Sequence, residues 1–259
     1  MLTQGKAGNL QVEIYESRLA MGVKAAQDAV KALKEVIEKK GTVNVIFAAA
    51  PSQNEFLAAL SASDVEWSKV HAFHMDEYIG LPEDAPQGFG NFLRRAIFDK
   101  VPFASVDYLR GGAEDIEAER LRYSHMLEEN PVDLVFMGIG ENGHIAFNDP
   151  AVAHFDDQNL VSVVELDERC RNQQVHDGCF EKLEQVPTHA LTLTVPALFR
   201  AEKLFCMVPA ATKAEAVEKT VLGEIREMVP ATVMRLHKNA ILYVDPDSGK
   251  ELLEAGFGE

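Results

Sequence analysis

Cysteine is scarce in this chain of 259 residues: only Cys170, Cys179 and Cys206, with no Cys-x-x-Cys spacing among them. That excludes a disulfide framework. Reduced thiols are expected, and a Cys170–Cys179 bridge is conceivable. Basic residues are short as well. Lys and Arg number 25 against 41 Asp and Glu, a formal net charge of −16 at pH 7, so neither nucleic acid nor an anionic membrane is expected as a partner, since both need a basic face. A small anion would have to be held by a few local cations and helix N-termini. No apolar run approaches the ~20 residues of a membrane span. The opening Met1-Leu2-Thr3-Gln4-Gly5-Lys6 lacks the basic-then-apolar order of a signal peptide, so a cytoplasmic protein is expected. No repeat, low-complexity stretch or composition break divides the chain, and residues 1–259 are expected to form a single domain.

What is present is an ordinary apolar core. Hydrophobic residues make up 47% of the chain, and a chain of this length buries about three quarters of its unfolded surface. Gln11–Tyr15 reads as a short strand or extended arm. Ser17 is an N-cap for a helix with Leu19, Val23, Ala26, Val30, Leu33 and Ile37 at helical spacing, stopped by Lys39-Lys40-Gly41. Apolar runs at Val43–Ala49, Val70–Met75 and Val132–Met137 predict strands covered on both faces. Further strands are expected at Leu160–Val164, Leu191–Val195, Lys203–Val208 and Ala240–Val244. Helices are expected at Ser52–Leu60 (with a Ser52/Glu55 capping box), Gly88–Phe98, Glu114–Leu127, Asp167–Gln174 and Thr212–Leu222. Strands alternating with helices imply an α/β fold, three-layer and Rossmann-like, around a mainly parallel sheet.

The stretch Gly138–Pro150, Gly-Ile-Gly-Glu-Asn-Gly-His-Ile-Ala-Phe-Asn-Asp-Pro, follows one of those strands and concentrates glycines with titratable groups. Gly138, Gly140 and Gly143 satisfy G-x-G-x-x-G, but no crossover helix can start at Ile145–Asp156, which holds Asn148-Asp149-Pro150 and no helical apolar stripe. A dinucleotide is therefore not expected. A metal is not expected either: His144 has no second His or Cys at ligand spacing, and His71 and His74, three apart on a strand, face opposite sides of the sheet. Acid–base chemistry remains. A histidine on a glycine turn can move a proton near neutral pH, and Asp149, five residues on, can fold back to orient it. Asp76 and Glu77 end a neighbouring predicted strand, so a carboxylate and a histidine meet at one sheet edge. Such a pair suits proton abstraction beside a carbonyl and its return elsewhere.

Phe73–Pro82 (Phe-His-Met-Asp-Glu-Tyr-Ile-Gly-Leu-Pro) together with Gly140–Pro150 resembles the glucosamine-6-phosphate deaminase family, grouped with the 6-phosphogluconolactonases in one sugar-phosphate isomerase superfamily. Ala190–Thr194, the Lys213 region and Leu236-His237 with Ala240-Ile241 fall in the same order. The lactonases carry Asp-Glu-Arg and Gly-His-Thr-Ala-Ser at the two motifs. This chain has Asp76-Glu77-Tyr78 and Gly143-His144-Ile145-Ala146-Phe147, the deaminase pattern. The resemblance implies conversion of an amino-sugar 6-phosphate and water to the ketose 6-phosphate and ammonia, without metal or organic cofactor. It makes His144 the ring-opening group, Asp76 the proton carrier between C2 and C1, and Asn142 and Asp149 the residues that hold His144. It implies a phosphate site of the Ala50–Gln53 loop (Ser52, Gln53), Arg169, with Arg171 as near substitute, and Lys213; Glu77 and Gly143 complete the substrate-binding set. The expected partner is a small sugar phosphate, and a homo-oligomer is compatible with the sequence. A lactonase or another sugar-phosphate isomerase, and a non-catalytic sugar-phosphate sensor, are the alternatives.

Three positions depart from the pattern. Asn142 stands where many members carry Asp, so it brings the ring no charge. Asp149 stands for the usual Glu and is one methylene shorter, so the turn must close or a water must bridge. The phosphate loop, Ala48–Glu55, is poor in Gly and Thr, and Glu55 would compete with an anion for the same donors. The acidic stretch Ala153–Gln158 has the composition of a mobile lid.

Overall fold

The computed structural model describes residues 1–258. A hairpin, β1 (Thr3–Ala7) and β2 (Leu10–Ile14), precedes α1 (Arg18–Lys40), β3 (Val43–Phe47), α2 (Asn54–Ser61), β4 (Val70–His74), β5 (Asp76–Tyr78) and α3 (Phe89–Leu93). β6 (Ser105–Asp107), α4 (Ile116–Glu129), β7 (Leu134–Met137), β8 (Val161–Glu165), α5 (Glu168–His176) and β9 (His189–Leu193) follow. The chain then forms α6 (Val195–Phe199), β10 (Lys203–Val208), α7 (Ala214–Leu222), β11 (Ala240–Val244) and α8 (Lys250–Glu254).

Eight strands form the main sheet in the order β1-β2-β11-β10-β7-β3-β4-β6, parallel throughout except for the β1–β2 hairpin. Strand alternation sends successive side chains to opposite faces. Val43, Val45 and Phe47 of β3 join a core with α1, α2 and α3, while Ile46 of the same strand joins a core on the other face with α4, α6, α7 and α8. The continuous apolar runs of the sequence are thus strands buried on both sides, as a parallel sheet under two helical layers requires.

Leu160–Val164 and Leu191–Val195 do form strands, but they leave the main sheet. β8 and β9 pair antiparallel with each other, and β9 with β5, as a separate sheet in the order β5-β9-β8. The predicted strand Val70–Met75 is correspondingly broken after His74, and the chain passes at Met75 from one sheet to the other. β9 ends at Leu193 because Thr194 turns to cap α6, its hydroxyl accepting from the Ala197 N–H.

α1 also departs from the expected stripe. Ser17 caps it and Gly41 ends it as predicted, but Leu19 is 63% and Val23 37% exposed. Ala26, Leu33 and Ile37 are buried as expected, and Gly22, Ala25, Ala29, Ala32 and Val36 complete the buried face. Small residues let α1 approach its neighbours closely: a Cβ on Gly22 would lie 2.7 Å from Glu55 Cβ of α2. The Ser52/Glu55 capping box does not form, because Pro51–Gln53 is a 3₁₀ turn and no side chain caps α2. The predicted helix Gly88–Phe98 is α-helical only to Leu93 and continues as a π-helical turn, Arg94–Phe98.

Candidate active site

From β3 the chain proceeds to β4 and β6 on one side; from β7 it proceeds to β10 and β11 on the other. Open α/β sheets bind ligands at such a reversal, beyond the C-terminal ends of the strands. A solvent-open cleft lies there. It is lined by Ala48–Gln53 after β3, Met75 and Asp76 after β4, Gly138–Gly140 and His144 after β7, and Pro209, Ala210, Thr212 and Lys213 after β10.

The Gly138–Pro150 turn holds His144 by its backbone and by its ring. Gly140 N–H donates to His144 O at 2.9 Å, and the ring lies so close over Gly140 that a Cβ there would be 2.0 Å from its Cε1. Gly143 has φ +85, a backbone that disfavours any side chain, and does not itself line the cleft. The turn rests on β9: Thr192 Oγ1 accepts from Phe147 N–H, and Asn148 Nδ2 donates to Leu193 O. Nδ1 of His144 is 2.7 Å from Asn142 Oδ1 and 3.1 Å from Asp149 Oδ1, and Asn142 Nδ2 donates to Asp149 Oδ1 at 2.9 Å. A carboxylate only accepts, so Asp149 takes the amide hydrogen and turns the amide oxygen to the ring. Both neighbours of Nδ1 are then acceptors, so Nδ1 carries the hydrogen and Nε2 is left to exchange a proton. Asp149, though shorter than the expected Glu, reaches the ring directly because the turn closes around it.

Asp149 is 1% exposed. Burial alone would raise its pKa, but hydrogen bonds from His144, Asn142 and the Asp167 N–H outweigh that and hold it below the usual carboxylate value. Cys170 of α5 adds a third group, its ligand atom within 4.8 Å of those of His144 and Asp149. Sequence spacing gives no sign of this grouping, which α5 creates. Burial and the adjacent Asp149 push the Cys170 thiol well up, so it stays an S–H donor rather than a thiolate ligand. All three cysteines are free, and the conceivable Cys170–Cys179 bridge is absent.

Asp76 lines the cleft from the other side, 7% exposed, and no donor among the described residues reaches its carboxylate. Burial, with a smaller contribution from Glu77, raises its pKa well above the ordinary value. The bend that aims it is fixed by His74. Leu109 N–H donates to His74 Nε2, so Nδ1 carries the hydrogen and donates to Asp76 O at 3.0 Å. Burial pushes His74 down to about 4, which keeps this clamp neutral. His71 has a separate partner, Ser105 Oγ. Glu77 corrects the sequence reading. As the next residue of a strand it points away from Asp76; its oxygens accept from the N–H groups of Tyr78, Phe89 and Gly90, so it caps α3 and does not line the cleft.

At the far end, Lys213 is 5% exposed with no carboxylate in ion-pair range among the described residues, and burial lowers its pKa. Gln53 Nε2 donates to Ser52 Oγ and to Met207 O, while its Oε1 is buried without a partner among the described residues. Arg169 corrects the reading again. It is half exposed and pairs with Glu215 at 2.9 Å, outside the cleft. Arg171 donates to Leu183 O and Val186 O and is no substitute. Ala153–Gln158 does not reach the cleft; Phe155 N–H ties it to Glu227. Sequence reading missed Arg18, Gln173 and Gln174, all of which line the cleft, and the part Gly140 plays beneath the histidine ring. Gly140 was visible as a glycine two residues after another. The other three lie on helices whose rotation no motif reveals.

The family model describing glucosamine-6-phosphate isomerases/6-phosphogluconolactonase matches residues 16–243. A glucosamine-6-phosphate deaminase of Bacillus cytotoxicus is 34% identical over 225 residues, 87% of this chain and 84% of the relative. One from Bacillus cereus is 34% identical over 223 residues, 86% and 83% of the two chains. Among solved structures, a monomeric glucosamine-6-phosphate deaminase superposes with a TM-score of 0.83 at 25% identity, over 92% of this chain and 98% of that one. A 6-phosphogluconolactonase of Thermotoga maritima shares the fold, with a TM-score of 0.75 at 17% identity over 91% and 99% of the chains. With its two motifs meeting at one cleft and the family model spanning nearly its whole length, this chain belongs to the glucosamine-6-phosphate isomerase/6-phosphogluconolactonase family.

Proposed function

We propose that this protein is an amino-sugar-phosphate deaminase/isomerase, taking glucosamine 6-phosphate or a close analogue and water to fructose 6-phosphate and ammonia. The observation that carries the reading is the pairing of an oriented histidine with a buried carboxylate, Asp76, that no donor among the described residues reaches, across one cleft. His144, with its hydrogen fixed on Nδ1, takes the anomeric hydroxyl proton on Nε2 and delivers a proton to the ring oxygen, which opens the pyranose. Asp76, as carboxylate, takes the C2 proton of the open aldehyde and returns it to C1, while the C2 ammonium gives up one proton and the C1 oxygen takes one up to become the hydroxyl. The C2 nitrogen is left as an imine; water adds there, and ammonia departs. Asn142 and Asp149 stabilise the ring of His144 while it is charged, and Lys213 with Ser52 and Gln53 binds the phosphate end. The relatives named glucosamine-6-phosphate deaminase support the same substrate. Three unpaired cysteines agree with a reducing, cytoplasmic location for the reaction.

The test is incubation of purified protein with glucosamine 6-phosphate, with ammonia and fructose 6-phosphate measured together in equal amounts. Hydrolysis of a 6-phosphogluconolactone with no ammonia released would replace this reading with the lactonase one.

A further inference from the structure

Two cations, Arg18 and Lys213, line the cleft, and Arg169 does not. Arg18 is the first residue of α1, remote in sequence from every motif. It comes to the site because Gly22, one turn later on the same helix face, lets α1 pack tightly against Glu55 and the Phe56 N–H of α2. The guanidinium then lies over the Ala48–Gln53 loop. One of its nitrogens donates to Pro51 O, and Nε stands 2.8 Å from Glu55 Oε1. These contacts fix the planar fork and leave most of its five donors uncommitted. Glu55 therefore does not compete for an anion; it holds the cation that would bind one. Around the same end stand buried Lys213, without an ion pair among the described residues, and Ser52, whose hydroxyl accepts from Gln53 and so has its own hydrogen to give.

We propose that Arg18 is the specificity-determining cation of this cleft, gripping the substrate's phosphate monoester together with Lys213 and Ser52 from the first turn of α1. Planar, bidentate recognition of phosphate is the work for which Arg is suited and Lys is not. The carboxylate that faces this end, Asp177, lies near Lys213 and also accepts from Gln173 Nε2. With Asp177 near Lys213 and Glu55 beside Arg18, the two cations act on a dianion through directed, charge-assisted hydrogen bonds rather than through net charge. The inference rests on the deaminase reading only for the phosphate on the substrate.

The experiment measures binding of inorganic phosphate and of glucosamine 6-phosphate calorimetrically to the full chain and to Arg18→Gln, Arg18→Lys, Glu55→Gln and Arg169→Gln. Loss of a hydrogen-bonded charged contact should weaken phosphate binding roughly 10- to 100-fold in Arg18→Gln. Arg18→Lys should recover part of it, and Arg169→Gln should match the parent. In turnover, Arg18→Gln should raise KM for the phosphorylated sugar, leave kcat at saturation nearly unchanged, and not alter kcat/KM for unphosphorylated glucosamine. Glu55→Gln removes the partner's charge but keeps a side-chain oxygen to hold Nε of Arg18, so it should bind phosphate at least as tightly as the parent. If Arg18 were only a strut between α1 and α2, Glu55→Gln and Arg18→Gln would behave alike. Parental phosphate binding in Arg18→Gln, loss of binding in Arg169→Gln or Glu55→Gln, or no phosphate binding by the parent chain overturns the proposal. Absence of ammonia from glucosamine 6-phosphate would instead remove the deaminase reading, while the phosphate titrations would still decide the role of Arg18.

Discussion

The hydrogen on Nδ1 of His144 is held between two acceptors, the amide oxygen of Asn142 and the carboxylate of Asp149. An amide at 142 thus fixes the tautomer by hydrogen bonding alone and leaves Asp149 to supply the charge. Gly140 is the floor under this ring. Gly140→Ala should shift the imidazole by about 1 Å and lower kcat by as much as 10²-fold, with phosphate binding unchanged; parental kcat would show that the ring tolerates a methyl group beneath it. Asp76 makes a stronger demand on the protein. Its pKa is raised in the folded state, so between the ordinary and the raised value the folded chain holds a proton that the unfolded chain has released, and stability falls as pH rises through that window. Asp76→Asn removes that slope. The variant should lose roughly 10²–10⁴-fold in turnover and gain roughly 0.5–2 kcal/mol at neutral pH, read from urea unfolding of both proteins. For the parent, the acid limb of kcat/KM should lie above the usual carboxylate range, because the working base is the ionised form.

Elements place these residues, and some of that placement is strained. Ala210 has φ +86, unfavourable for a residue with a Cβ, and it opens the 3₁₀ turn that delivers Lys213. Its N–H is held by the carboxylate of Asp245 at 3.2 Å. Such a backbone costs on the order of 1–3 kcal/mol and persists where the surroundings enforce it. Ala210→Gly should therefore raise the melting temperature by about 2–4 °C while KM for the sugar phosphate rises, since a looser turn aims Lys213 less well. A fall in melting temperature would show that the strain is absent. The small sheet β5-β9-β8 has the complementary part: it takes Asp76 out of the main sheet and seats the His144 turn on Thr192 and Leu193, so both halves of the chemistry share one support.

For the molecule as a whole, a net charge of −16 opposes a substrate of net negative charge at a distance even though the cleft receives it through two cations. Added sodium chloride screens the long-range repulsion. With glucosamine 6-phosphate, kcat/KM should rise roughly two- to threefold between 10 and 150 mM salt, before direct competition at the phosphate site reverses it. A monotonic fall would mean that the local field of Arg18 and Lys213 governs encounter.

How much of this was legible beforehand follows from the range of each interaction. The α/β alternation, the caps at Ser17 and Gly41, and the two motifs with Asp76, Asn142, His144 and Asp149 rest on contacts within a few residues or on apolar runs, and such features are written locally. The stripe of α1 holds at Ala26, Leu33 and Ile37 but fails at Leu19 and Val23, because near its start a face of Gly and Ala packs closer than one of Leu and Val, a choice made by what lies opposite. Arg169 pairs with Glu215 and Arg18 reaches Pro51 for the same reason: a charged side chain of four or more bonds goes where its partner stands, and partners more than thirty residues away in sequence are set by packing alone. The sequence by itself determined the kind of chemistry and the edge of the sheet where it occurs. Only the tertiary structure decided which cation faces the substrate, because that depends on how closely two helices meet.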